Sequence, residues 1–308
     1  MVILTYMYPA SAPDEEESMS FFKYLMQKEL RANEKPYDLP KEPNRERSAS
    51  TSRSHYCTNK DVIISRKRLT QPPPPSYTWT IMAPKSAIDA SLAPLKPTFD
   101  PKHPQRETDV LQAIIQQLGL QQHVEGGYFV ETDRDQLRVP NPFDEQASTR
   151  NASTTIFYLL TPKSPLGAFH RNKGRTVHTL HKGRGRYVLI HADEVASPSC
   201  PGGYGSGSHD ELPESERWMG KARIETFIVG QNVLAGERLQ WIVEGGKYKS
   251  SFLLPDEQGG SHSDGLLISE TVVPGFEFED HDFMRWERMM ALVAKEQAEE
   301  MEWMVRKE

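Results

Sequence analysis

Two glutamates flank a glycine pair in Val124-Glu-Gly-Gly-Tyr-Phe-Val-Glu131. Paired glycines mark a turn or a close backbone approach. A carboxylate carried from such a turn into an apolar interior can act as a general base. With Glu131 as that base and His170 as its partner, the chemistry is proton abstraction beside a carbonyl. The competing reading gives Glu131 a buried hydrogen bond or a dimer contact instead. Glu125 and Tyr128 are then candidate ligand contacts at the same turn; Tyr128 and Phe129 face opposite ways on a strand, so one of the two lines the cavity.

A second set of candidates surrounds His170. Thr176 and His178 share one face of an extended run, with Val177 and Thr179 on the other. Gln240 and Trp241 also alternate, so one of them points inward, and a glutamine there would orient a polar ligand. Arg171, Lys173, Arg175, Lys182, Arg184 and Arg186 crowd one stretch. Together they form either a cationic rim for a carboxylate or phosphate, or a solvated basic turn. His170 and His178 would make a zinc set only if Glu131 or Glu225 joined them. No full ligand set is evident, so neither metal nor other cofactor is expected.

These residues must be positioned by β-structure. Thr108 is a suitable N-cap for a helix ending at Gly119, with Val110, Leu111, Ile114, Ile115 and Leu118 at helical spacing. Eight short runs rich in β-branched and aromatic residues follow, at 127–132, 153–160, 176–180, 186–191, 224–229, 239–243, 248–254 and 266–273. No helices alternate with them, which points to a closed barrel or jelly roll. An insertion at 192–220 reads as a mobile surface loop. A helix is expected over 283–306, either capping the barrel or joining oligomers through its methionines.

The first 104 residues are a different polymer. They hold 14 of the 23 prolines and none of the 20 glycines, and carry +3 against −9 for the rest. Such a chain is expected to be disordered. Pro72–Pro75 could dock an aromatic groove as polyproline II or act as a spacer. Arg66-Lys67-Arg68 is too short for a nuclear signal, and Ser20–Arg31 could form a short helix. Met82-Ala-Pro-Lys85 reads as an ordinary protein start, which makes 1–81 a candidate gene-model artefact. The domain boundaries are thus 1–104 for the disordered segment, 105–288 for the barrel and 289–308 for a C-terminal helical extension.

Composition excludes several classes. A net charge of −6 argues against a dedicated nucleic-acid binder. No apolar run reaches the roughly 20 residues that span a bilayer, and residues 1–8 are too short for a signal peptide's apolar core. Two cysteines cannot make a disulfide scaffold, so a cytoplasmic protein is expected.

Leu118-Gly-Leu-Gln-Gln-His-Val-Glu-Gly-Gly-Tyr-Phe-Val-Glu131, Thr154–Leu160, Phe169-His-Arg171 and Val272-Val-Pro-Gly-Phe-Glu-Phe-Glu-Asp280 resemble the signatures of one branch of the cupin superfamily. That branch, cupin 5, is catalogued as a domain of unknown function. The resemblance covers about 108–288. It implies an all-β fold, a double-stranded β-helix (cupin jelly roll), with helices flanking it and an internal ligand pocket, usually in a homodimer. Metal-dependent cupins hold a metal with three histidines and a glutamate. Against that pattern only His170 survives: Asn172 stands for the second histidine, Thr176 for the glutamate, and a lysine near 247–249 for the last histidine. The leading expectation is therefore a small-molecule cupin that binds an anionic or sugar-like ligand and isomerises or epimerises it without metal. His170 and Glu131 would be catalytic, and Glu125, Tyr128, Arg171, Thr176, His178 and Gln240 would bind the ligand. The alternatives are a non-catalytic binding or interaction module, and a metal-dependent oxygenase or hydrolase with relocated ligands. An apolar-filled barrel would favour the module; an open polar pocket would favour the enzyme.

Overall fold

The computed structural model describes residues 84–143, 149–204 and 212–306. The proline run at 72–75, the basic cluster at 66–68, the helix expected at 20–31 and the question of 1–81 all lie outside the described residues. Helix α1 (Asp109–Gln117) is followed by β1 (Gln121–Gln122), β2 (Tyr128–Arg134), β3 (Arg138–Pro140), β4 (Thr149–Asn151), β5 (Thr154–Leu160), β6 (Leu166–Arg171), β7 (Arg175–Lys182) and β8 (Gly185–Ile190). Then come α2 (Glu214–Arg217), β9 (Ile224–Val229), β10 (Gln240–Val243), β11 (Tyr248–Leu253), β12 (Leu266–Val273), β13 (Asp282–Phe283), α3 (Trp286–Leu292) and α4 (Lys295–Met301). Two antiparallel sheets face each other, in the orders β1-β2-β5-β12-β7-β10 and β13-β6-β11-β8-β9. This is the double-stranded β-helix.

All eight expected runs are strands. Thr108 caps α1 by accepting from the Leu111 N–H at 3.2 Å, and Gly119 closes it at φ +65°. β6, which carries His170 and Arg171, has no alternating pattern and was not foreseen. A register shift against β11 between Lys249 and Ser251 scrambles its alternation. On β12 the alternation is regular, with Leu266, Ile268, Glu270 and Val272 buried.

The barrel interior is filled by Tyr158, Leu160, Leu180, Tyr187, Leu189, Phe227, Val229, Trp241, Val243, Leu253 and Ile268, joined by Phe99. Residues 84–104 thus correct the expectation of disorder where they are described. Leu95 and Phe99 are buried, and Glu300 binds Ser86 Oγ (2.8 Å) and the Leu95 N–H (2.7 Å).

The single C-terminal helix is also corrected. Val293 and Ala294 are extended, and the chain re-enters a helix with the Gln297 side chain bonded to the Ala294 N–H. The break lets Met289, Leu292, Val293, Ala298, Met301 and Met304 all pack on the outer face of the five-stranded sheet, beside Phe169, Val188, Ile190 and Tyr248. A straight helix would turn part of that set to water. Burying each large side chain is worth about 1.5–3 kcal/mol. β11 is consequently buried on both faces.

The insertion is docked rather than mobile where it is described. Arg217 donates to the carbonyls of Leu212 (2.7 Å) and Gly203 (3.0 Å). Arg171 donates to the carbonyls of Gly202 and Gly203. Among the described residues no helix is long and apolar enough to cross a membrane.

Candidate active site at the mouth of the barrel

Two titratable clusters meet at one end of the interior. In the deeper one Lys249, on β11, contacts Glu270 on β12 and donates to His178 Nε2 on β7 at 3.0 Å. His178 is fully buried and stacks on Trp241, with centroids 5.1 Å apart. Burial alone would raise the Glu270 carboxyl, but the adjoining Lys249 ammonium outweighs it and holds it well below the usual range. Burial, reinforced by Lys249, lowers His178 and keeps it neutral. Burial, together with the nearby glutamates, pushes the Tyr158 and Tyr187 hydroxyls well above 10, so they remain donors.

The outer cluster is built on Glu125, in the β1–β2 turn. Its Oε1 lies 3.1 Å from His170 Nε2 and 2.7 Å from His281 Nε2. The two imidazoles stack at 5.1 Å with 7° between planes. Gly126 makes this turn possible. Its φ is +101°, and a Cβ there would sit 2.0 Å from the Leu166 carbonyl oxygen. Gly126→Ala is therefore expected to cost at least about 1–3 kcal/mol, read by thermal melting. An unchanged melting point would show that the turn relaxes freely.

A cavity of about 10 Å³ separates the clusters, lined by Glu125, Tyr158, His170, Tyr187, Lys249, Ser251 and Glu270. It holds about one water or one ligand atom. A larger space of about 470 Å³ lies outside the barrel, between Pro97–Lys102, Leu166, Ala168 and Trp303. Its ionisable lining residues, Asp100, Lys102 and Arg306, are all exposed.

The candidates named from sequence are thus dispersed. His170 and Glu125 come together, and His178 sits behind them. Glu131 does not join them: it is exposed on β2 and bound to Arg134 at 2.8 Å. Tyr128 points outward under α1 and donates to Glu107 at 2.9 Å. Arg171 is on the opposite face of β6 from His170, buried against Asp282. Thr176 is buried on the inward face of β7, two residues from His178. Gln240 is exposed and reaches only Thr179, while Trp241 takes the interior.

The basic run makes no rim. Arg175 pairs with Glu244, Lys182 with Asp264 and Arg184 with Glu237, and Lys173 lies 4.0 Å from Asp280. The four-ligand metal pattern also fails to assemble, because Thr176 offers only a hydroxyl and Lys249 puts an ammonium into the interior.

Glu270, Lys249 and His281 are the residues sequence reasoning missed. For Glu270 and Lys249 a signal existed: each is a lone charge at an inward position of a buried strand. His281 carries no such signal, because it lies in a short turn before β13.

The family model described as Cupin superfamily (DUF985) matches residues 112–284. An uncharacterized protein of Saccharomyces cerevisiae is 39% identical over 222 residues, which are 69% of this chain and 95% of that protein. A hypothetical protein from Leishmania major, of solved structure, is 28% identical with a TM-score of 0.48, covering 64% of this chain and 98% of that one. A protein from Shewanella oneidensis is 23% identical with a TM-score of 0.45, at the same coverage of both chains.

Proposed function

Since the chain belongs to the Cupin superfamily (DUF985), we propose that it is a small-molecule cupin that moves a proton beside the carbonyl of a small sugar-like ligand. The observation that carries this reading is the cavity between the two clusters. An ionised carboxylate, Glu270, and protonated hydroxyls, Tyr158 and Tyr187, face the same space. At neutral pH these groups are therefore a charged proton acceptor and protonated donors, the states that acid–base roles require. Glu270 accepts the proton, Lys249 keeps it charged, and Glu125, His170 and His281 orient the ligand's oxygens at the mouth. Only the reacting atom enters, and the rest of the ligand stays outside. An anionic ligand is disfavoured, because the ionised groups around the cavity are two carboxylates against one ammonium.

The test is incubation of the full-length protein in D₂O with a panel of aldoses and ketoses, followed by proton NMR. Exchange at the carbon beside the carbonyl of at least one sugar is expected. The isosteric Glu270→Gln change should slow it by about 10²–10⁴-fold, the usual worth of a general base, with folding checked by circular dichroism. If no sugar exchanges, the acid–base reading fails. The filled interior then favours the second reading, a binding or interaction module without catalysis.

We place the protein in the cytoplasm as a homodimer. Cys200 is buried and unpaired, in keeping with a reducing compartment. Across the outer face of the six-stranded sheet, Ile242, Val177, Thr271 and Thr155 form one row through four strands, partly or fully exposed. Light scattering is expected to give the mass of two chains, and Val177→Glu with Ile242→Lys the mass of one. A monomeric parent would remove the dimer.

A further inference from the structure

Hydrogen bonding among Glu125, His170 and His281 leaves their arrangement incomplete. His170 Nδ1 lies 2.9 Å from the carbonyl oxygen of Ala168. A carbonyl only accepts, so the ring hydrogen sits on Nδ1 and Nε2 presents a lone pair to Glu125 Oε1 at 3.1 Å. His123 Nδ1 is different, because it accepts the Glu125 backbone N–H at 3.2 Å. The unshared His170 lone pair facing a carboxylate, with the side chains of Glu125, His170 and His281 only 10%, 6% and 11% exposed, makes an electron-rich pocket suited to a cation.

We propose that Glu125, His170 and His281 bind a divalent transition-metal ion at the barrel mouth. The three donor atoms lie within 4.8 Å of one another. Ligands about 2.0–2.2 Å from a shared ion, at right or tetrahedral angles, are about 2.8–3.6 Å apart. The 3.1 Å separation falls in that range, and the 2.7 Å separation needs only a few tenths of an ångström. The His170–Ala168 hydrogen bond is the outer contact that fixes the tautomer of a ligating histidine. Two imidazoles and one carboxylate suit zinc or ferrous iron rather than calcium or magnesium, which take oxygen donors. This set shares only His170 with the four-ligand pattern of other cupins, and Lys249 stands opposite His170 on the neighbouring strand. Glu270, in contact with the Lys249 ammonium, offsets its charge. Three protein donors leave positions for a ligand's oxygens, so the ion would polarise the carbonyl beside which Glu270 takes its proton.

The experiment uses the full-length protein without an affinity tag, stripped with chelator and dialysed against Co²⁺. Visible absorption and elemental analysis are the readouts. The expected result is about one Co²⁺ per chain, with imidazole-ligand bands displaced by Zn²⁺. Glu125→Gln and His281→Phe should each lower the occupancy to below about one-tenth. His262→Ala should leave it unchanged; His262 belongs to a second carboxylate–imidazole group, with Asp256 and Asp264, on an exposed loop. His281→Phe keeps the ring packing against His170 and Phe283, so it decides the matter if Glu125→Gln fails to fold. The proposal is overturned if the parent takes up no Co²⁺, if His281→Phe takes up as much as the parent, or if His262→Ala abolishes uptake. Because no ligand is turned over, each outcome is separate from the sugar-exchange test.

Discussion

Glu270→Ala is expected to destabilise the barrel by about 3–5 kcal/mol, the range for breaking a buried ion pair from one side. The Lys249 ammonium is 4% exposed, and without Glu270 its remaining partner is the neutral His178. The double change Lys249→Met with Glu270→Leu is expected to recover most of the loss, since an apolar pair of similar volume removes both desolvation costs. Urea denaturation of parent, single and double variants measures this. A loss below about 1 kcal/mol in the single variant would place the ammonium in water rather than in the barrel.

The same cluster sets an acid limit. Glu270 is held in the folded state well below the ordinary glutamate value of 4.5. Its contribution is complete above that value and is lost as pH falls through the folded value. His178 is depressed below 6.5 by burial, so the unfolded chain takes up its proton first. Stability should therefore begin to fall below about pH 6.5 and fall faster below about 4.5.

Asp282→Ala is expected to cost about as much, about 3–5 kcal/mol, for the same reason on the opposite face of the sheet. The Asp282 carboxylate accepts from Arg171 Nε (2.8 Å), Arg288 Nη1 (2.8 Å) and the Tyr248 hydroxyl (2.7 Å). Both arginines are fully buried. Their charge holds the aspartate below its usual value against burial, which would raise it. Arg171 also grips the Gly202 and Gly203 carbonyls, and Arg288 donates to Glu214 at 2.8 Å. Removing Asp282 should therefore also loosen the insertion. Limited proteolysis should cut within 192–220 at least tenfold faster in the variant, the factor that 1.4 kcal/mol of local opening supplies. A variant as resistant as the parent would mean that the insertion is held without this aspartate.

Strand period and capping chemistry are local, so the eight runs, the Thr108 cap and the Gly119 stop were legible in the residues, and the cupin signatures named the fold. The signatures also drew attention to His170 and the Glu125 turn. Which carboxylate reaches His170 was not legible, because Glu125 and Glu131 lie on either side of a turn whose path depends on Gly126 passing the Leu166 carbonyl. His281 is 111 residues from His170 along the chain and beside it only because β13 pairs with β6. The split of the terminal helix and the docking of the insertion were decided by what packs beneath them, Phe169 and Tyr248 in one case and Arg171 in the other. Local sequence determined which segments become strands and helices. Only the closure of the two sheets decided which side chains share a cavity, because that depends on register and on contacts between residues far apart in the chain.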